Sequence, residues 1–224
     1  MSCWQGEGWL EGVDWLPSPN FGKRPRDAAV SLIVVHSISL PPDEFGGDWV
    51  EKLFLNQLDP QGHPYFATIA GTEVSAHFYV RRGGRVIQFV GCDRRAWHAG
   101  DSQWCGRGNC NDYSVGIELE GSDRRSFTAV QYAALWSLVD RLRERYPITA
   151  IAGHCHVAPG RKTDPGPRFD WERLGCRLVD DHRNADVLFV SGPATEGVAE
   201  ELRRIYSEMR EPRFVVAVGS CAST

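Results

Sequence analysis

The run Ser31 to His36, SLIVVH, constrains the fold of this chain more than any other stretch. Its apolar residues are continuous rather than alternating, which suits a strand buried on both faces. The run ends in a histidine, and the loop SISLPPDEFGGDW follows. His36 therefore stands at the carboxyl end of its strand, on the sheet edge where open α/β folds place their ligands.

Further strands are expected at Val74 to Val80 and Val86 to Val90. Between them lies RRGGR, whose paired glycines accept the positive φ of a tight hairpin turn. Ser114 to Glu120, SVGIELE, alternates: Glu118 and Glu120 share one face, Ile117 and Leu119 the other. The clearest helix runs from Thr128 to Tyr146. Thr128 and Gln131 form a capping box, and Tyr132, Leu135, Trp136, Val139 and Leu142 recur at helical spacing as a core stripe. Pro147 ends that helix, and Ile148 to Gly153 supplies a short strand leading to His154.

The loop Gly153 to Pro167, GHCHVAPGRKTDPGP, carries His154, Lys162 and Asp164 among helix-breaking residues. Neutral imidazole and carboxylate are ligand types that zinc prefers, and a catalytic zinc keeps three protein ligands. If the strands leading to His36 and His154 are neighbours, these two residues and Asp164 form a two-histidine, one-carboxylate site. Lys162, two residues from the carboxylate, is placed to steady developing negative charge. Glu118 is the leading candidate base, because partial burial on an inward polar face raises a carboxyl pKa toward the operating pH. The competing readings are an ordinary polar surface loop and a solvated sheet face. Cys155 lies between two histidines, yet a lone thiol needs a separate base to act as a nucleophile.

A length of 224 residues allows one sizeable domain, or one domain with an appendage. The formal charge of -4 gives no broad basic field, which argues against nucleic acid as a partner. No apolar run reaches the length needed to span a bilayer, so no membrane partner is expected. The N-terminus lacks the basic and apolar regions of a secretory signal. The 7 cysteines are odd in number and include no CxxC pair, which fits reduced thiols in a cytoplasm. A monomer is expected.

The motifs VVHSISLPPDEFGG, FYVRRGGRVIQFV, RAWHAG, CNDYSVGIELEG and GHCHVAPGRKTDPGP, in this order, closely resemble the AmpD family. The resemblance runs from about Gly8 to about Leu174, and extends more loosely to the wider type 2 amidases. It implies an α/β fold with a mixed central β-sheet flanked by helices. It also implies a cytoplasmic zinc amidase that cleaves anhydro-N-acetylmuramic acid from L-alanine in muropeptides during cell-wall recycling. By position, His36, His154 and Asp164 would hold zinc, Glu118 would be the general base, and Lys162 would stabilise the oxyanion. Trp97 would pack against the anhydro sugar, and Arg107 would meet a peptide carboxylate. Three departures stand out: Ser37 in place of the usual asparagine, Glu73 where a basic residue is expected, and His156 in place of an aspartate or asparagine. His156 is expected to point to solvent, since irregular loops run over the surface.

Beyond about Cys176, the segments HRNADVLFVSGPAT and EELRRIYSEMREPRFVVAVGSCAST resemble part of the small-subunit family shared by NADH-quinone oxidoreductases and hydrogenases. They read as strand ADVLFVSG, helix Thr195 to Met209 and strand RFVVAVGS, a short β-α-β tail. In that family the cysteine at the position of Cys221 ligates an iron-sulfur cluster. The other cluster cysteines are missing here, and one thiolate cannot hold a cluster that needs four. Two strands and a helix cannot bury a core alone. The expected division is a zinc amidase domain over 1–175 and a truncated oxidoreductase-like segment over 176–224, docked loosely or partly disordered. Two other function classes compete with the amidase. One is a peptidoglycan-fragment binder without turnover, opposed by the intact set of His36, Glu118, His154, Lys162 and Asp164. The other is an electron-transfer protein, opposed by the solitary Cys221.

Overall fold

A computed structural model describes residues 3–174, 187–191, 196–209 and 214–218. Among them, eight strands form one sheet: β1 (Asp14–Trp15), β2 (Leu32–Ile38), β3 (Phe78–Val80), β4 (Val86–Gln88), β5 (Ser114–Glu120), β6 (Ala150–Gly153), β7 (Val187–Ser191) and β8 (Phe214–Val218). Their spatial order is β7-β8-β6-β2-β5-β3-β4-β1. The β3–β4 hairpin is antiparallel and every other pairing is parallel, so the sheet is mixed as expected. Gly84 turns the hairpin at φ +83, the left-handed conformation anticipated from RRGGR.

The continuous apolar run does occupy a strand covered on both sides. Ile33 and Val35 of β2 pack with Leu135, Val139 and Leu142 of helix α3 (Ala129–Arg145). Leu32 and Val34 point the other way, into a cluster with Ala152 and Val157. Leu135 and Leu142 are fully buried, and each such side chain stabilises the fold by about 1.5–3 kcal/mol. The capping box forms: Gln131 N donates to Thr128 Oγ1 over 3.2 Å, and Thr128 N donates to Gln131 Oε1 over 3.0 Å. Gln131 Nε2 also donates to the carbonyls of Val80 and Glu120, tying the helix start to the ends of β3 and β5. Trp136, expected on the core stripe, is only half-buried; Leu138 is buried in its place.

Strand β3 is shorter than expected. β3 begins at Phe78 because Ser75 donates its N–H to Trp97 O and its hydroxyl to Asn20 O, drawing that stretch out of the ladder. Helices α1 (Trp49–Phe54) and α2 (Pro64–Thr68) supply Phe54 and Phe66 to a second cluster with Tyr79, Ile87 and Phe89. Beside β6 and β5, the ends of β2 and its neighbours are left open, and the site lies there.

The tail forms the expected β-α-β elements, with helix Glu196–Glu208 between β7 and β8. β8 runs parallel to β6, pairing Val215 with Ala150, so the segment lengthens the central sheet rather than building its own. Cys176 and Cys221 lie outside the described residues. Among those residues, no helix is long and apolar enough to cross a membrane.

Candidate metal centre

Parallel pairing brings the three strand ends together. β2 lies between β6 and β5, with Gly153 beside Val35 and Glu118 beside His36. The residue after Gly153 is His154, which opens a single helical turn, α4 (His154–Val157). Asp164 returns over it, its carbonyl accepting the N–H of Cys155 at 2.8 Å. His36 Nδ1, His154 Nδ1 and Asp164 Oδ2 then converge: the two nitrogens are 2.9 Å apart, and the carboxylate oxygen is 3.1 and 3.0 Å from them. Ligand atoms placed tetrahedrally at zinc distances of about 2.0–2.1 Å lie roughly 3.3 Å apart. The spacing therefore fits such an ion.

The outer hydrogen bonds decide what the inner atoms offer. His154 Nε2 is 3.1 Å from the carbonyl of Ala99, which only accepts, so the ring proton is on Nε2 and Nδ1 presents a lone pair. Burial first, then the neighbouring His154, push His36 down to about 4, so it is neutral near pH 7. Two imidazole nitrogens and one carboxylate oxygen are the donor set of a divalent metal site.

Glu118 stands beside this set on the inward face of β5. Its Oε1 is 3.9 Å from His36 Nδ1, and its buried Oε2 has no hydrogen-bond partner among the described residues. Burial, reinforced by Asp164 and opposed by Lys162, raises the Glu118 pKa well above the ordinary 4.5. A cleft of about 620 Å³ opens onto these groups; Trp97, His98, Glu118, His154, Lys162 and Asp164 are among its walls. That volume suits a small organic ligand.

The remaining sequence expectations divide. Trp97 and Lys162 line the cleft, and so does Ser37. Arg107 does not line it; its guanidinium lies 3.9 Å over the ring of Tyr113. Glu73 is exposed and also outside the lining. His156 corrects the expectation of a solvent-facing ring. It is buried, its Nδ1 accepts the N–H of Gly153 at 2.9 Å, and its ring packs against Trp171. The helical turn of α4 directs it inward, and burial lowers its pKa to about 4. Two residues escaped the sequence reading. Arg161 lines the cleft and donates to the carbonyls of Ala99 and Asp101. His98 touches His36, and its only signal was a second ring beside Trp97 in RAWHAG.

A sequence profile of N-acetylmuramoyl-L-alanine amidases matches residues 26–167. The 1,6-anhydro-N-acetylmuramyl-L-alanine amidase AmpD of Citrobacter freundii is 54% identical over 170 residues, covering 75% of this chain and 91% of that protein. The chain belongs to the N-acetylmuramoyl-L-alanine amidase family. The crystal structure of a selenomethionine AmpD derivative is 52% identical, with a TM-score of 0.73 over 75% of this chain and 96% of its own. The amidase AmiD of E. coli, solved with the substrate anhydro-N-acetylmuramic acid-L-Ala-D-gamma-Glu-L-Lys, is 26% identical. Its TM-score is 0.53, with 82% of this chain and 74% of AmiD covered. A profile of the NADH ubiquinone oxidoreductase 20 Kd subunit matches residues 126–224, overlapping the amidase match across α3 and β6. The family's mixed sheet flanked by helices is the fold found here.

Proposed function

We propose that this amidase hydrolyses the bond between anhydro-N-acetylmuramic acid and L-alanine in muropeptides, using zinc held by His36, His154 and Asp164. When bound, zinc supplies Lewis acidity, making water more acidic and polarising the scissile carbonyl. Glu118 receives the proton of the attacking water on its buried carboxylate and returns it to the amine of L-alanine as that amine leaves. Lys162, the cation nearest this carboxylate in electrostatic effect, stabilises negative charge developing on the carbonyl oxygen. Trp97 packs against the apolar face of the anhydro sugar. Arg107, outside the cleft walls, meets a peptide carboxylate only where the substrate extends beyond them.

The observation that carries this reading is the Glu118 carboxyl, raised in pKa, with Oε1 3.9 Å from His36 Nδ1 and Oε2 without a hydrogen-bond partner among the described residues. Likeness to AmiD, whose solved complex contains an anhydromuropeptide, supports the substrate. The catalytic unit is residues 1–175, with 176–224 an appended segment similar to oxidoreductase small subunits. The described cysteines Cys3, Cys92, Cys105, Cys110 and Cys155 are free thiols, which supports action in the cytoplasm. The test is product analysis after incubation with anhydromuramoyl tripeptide. Equimolar anhydro-N-acetylmuramic acid and L-alanyl peptide are expected; intact substrate, or cleavage within the peptide, would overturn the reading.

A further inference from the structure

We infer that the segment His98–Ala99, held by Asn111, fixes the tautomers of both imidazoles in the centre, with His98 the positioning residue for His36. This rests on reading those imidazoles as metal ligands. The chain of hydrogen bonds has a fixed end. The Ser114 hydroxyl is 2.6 Å from the carbonyl of Cys110, which accepts and cannot donate. Ser114 therefore donates there, and its oxygen accepts the Nε2–H of His98 at 3.2 Å. That leaves His98 Nδ1 as an acceptor, 2.9 Å from His36 Nε2. The His36 proton is consequently on Nε2, and its Nδ1 lone pair faces His154 and Asp164. One residue on, the Ala99 carbonyl imposes the same tautomer on His154.

The geometry is built for this contact. Asn111 Oδ1 accepts the backbone N–H of both His98, at 3.1 Å, and Ala99, at 2.9 Å, so one side chain anchors both supports. His98 lies directly on β5 at Gly116, where an added Cβ would sit 2.4 Å from the His98 Cγ. Glycine at that strand position is what admits the ring. The inward face of β5 thus presents, in order, the relay's end (Ser114), the space for the relay (Gly116) and the acid beside the ligands (Glu118). Partners of metal-bound histidines commonly orient the ring, and losing one costs about 10–100-fold in metal affinity.

The experiment has two readouts on the full-length chain. Nitrogen-15 spectra of histidine-labelled, metal-free protein report the tautomers, and chelator competition reports the zinc Kd. The wild type is expected to carry the proton on Nε2 of both His36 and His154. Ser114→Ala and His98→Leu lose that preference at His36 alone and weaken zinc binding about 10–100-fold. His98→Asn, whose amide oxygen accepts the same bond, stays near wild type, and Asn111→Ala loosens both rings. A wild-type His36 protonated on Nδ1 would overturn the inference. So would Ser114→Ala and His98→Leu proteins with unchanged tautomer and unchanged Kd. A wild type with both Nε2 protons in place but no zinc affinity leaves the tautomer assignment standing and sinks the metal reading instead.

Discussion

Glu118 and His36 are register partners on adjacent parallel strands, and the carboxylate of one reaches within 3.9 Å of the inward nitrogen of the other. That pairing binds the proposed base to the proposed ligand through the backbone ladder. A slip of β5 by one residue against β2 would turn Glu118 to the opposite face, away from His36.

Glu118→Gln should therefore leave the zinc Kd near wild type while lowering kcat about 10²–10⁴-fold. Metal content and steady-state kinetics on the same preparation check this. Unchanged turnover would remove Glu118 as the base.

The same carboxyl has a stability signature. Its folded pKa is raised above the ordinary 4.5, by burial first and then by Asp164. Well below 4.5 the group is protonated folded and unfolded alike, and its burial carries no ionic penalty. As pH rises, the unfolded chain ionises first and stability falls until the folded pKa is passed. Chelated Glu118→Gln should match wild type in Tm at about pH 4 and exceed it at about pH 7.5. Equal Tm values at both would show the carboxyl to be unstrained.

Lys162→Ala should lower kcat about 10²–10³-fold through loss of oxyanion stabilisation. Lys162 also opposes the rise in the Glu118 pKa. Its removal should move the acid limb of kcat/KM to higher pH, a shift that a simple binding role would not give.

Trp97 and Arg107 should separate by substrate length. Trp97→Ala raises KM about tenfold even for anhydromuramoyl-L-alanine, because it lines the cleft. Arg107→Ala leaves that KM unchanged and raises it only for longer peptides. Comparison of the two substrates in each variant decides both assignments.

Thr128→Ala removes the cap of α3 and should cost about 1 kcal/mol. Thermal unfolding reads this as a Tm lower by about 2–4 °C, with kcat intact.

Much of the centre was legible because its parts sit where sequence has a period. His36 ends an apolar run, Glu118 falls on the polar parity of SVGIELE, and His154 follows a short strand after a capped helix. Their adjacency was not legible, since parallel pairing of β6 with β2 depends on packing between segments far apart in sequence. His98 was missed because it lies on a loop, and its partners Ser114 and Asn111 reach it only through the fold. His156 was misplaced for a local reason: GHCHV closes into a helical turn that buries the ring against Trp171. The tail's strands were visible as apolar runs, but sequence held no sign that β8 would line up beside β6.

Metal titration tests the central claim most directly. The chain is stripped with chelator, zinc is added back stepwise, and release of L-alanyl peptide from anhydromuropeptide is followed. Activity should vanish on stripping and return in proportion to zinc, reaching its full value at one equivalent, while an Asp164→Ala chain stays inactive throughout. Turnover that survives complete removal of metal would contradict a zinc centre at His36, His154 and Asp164.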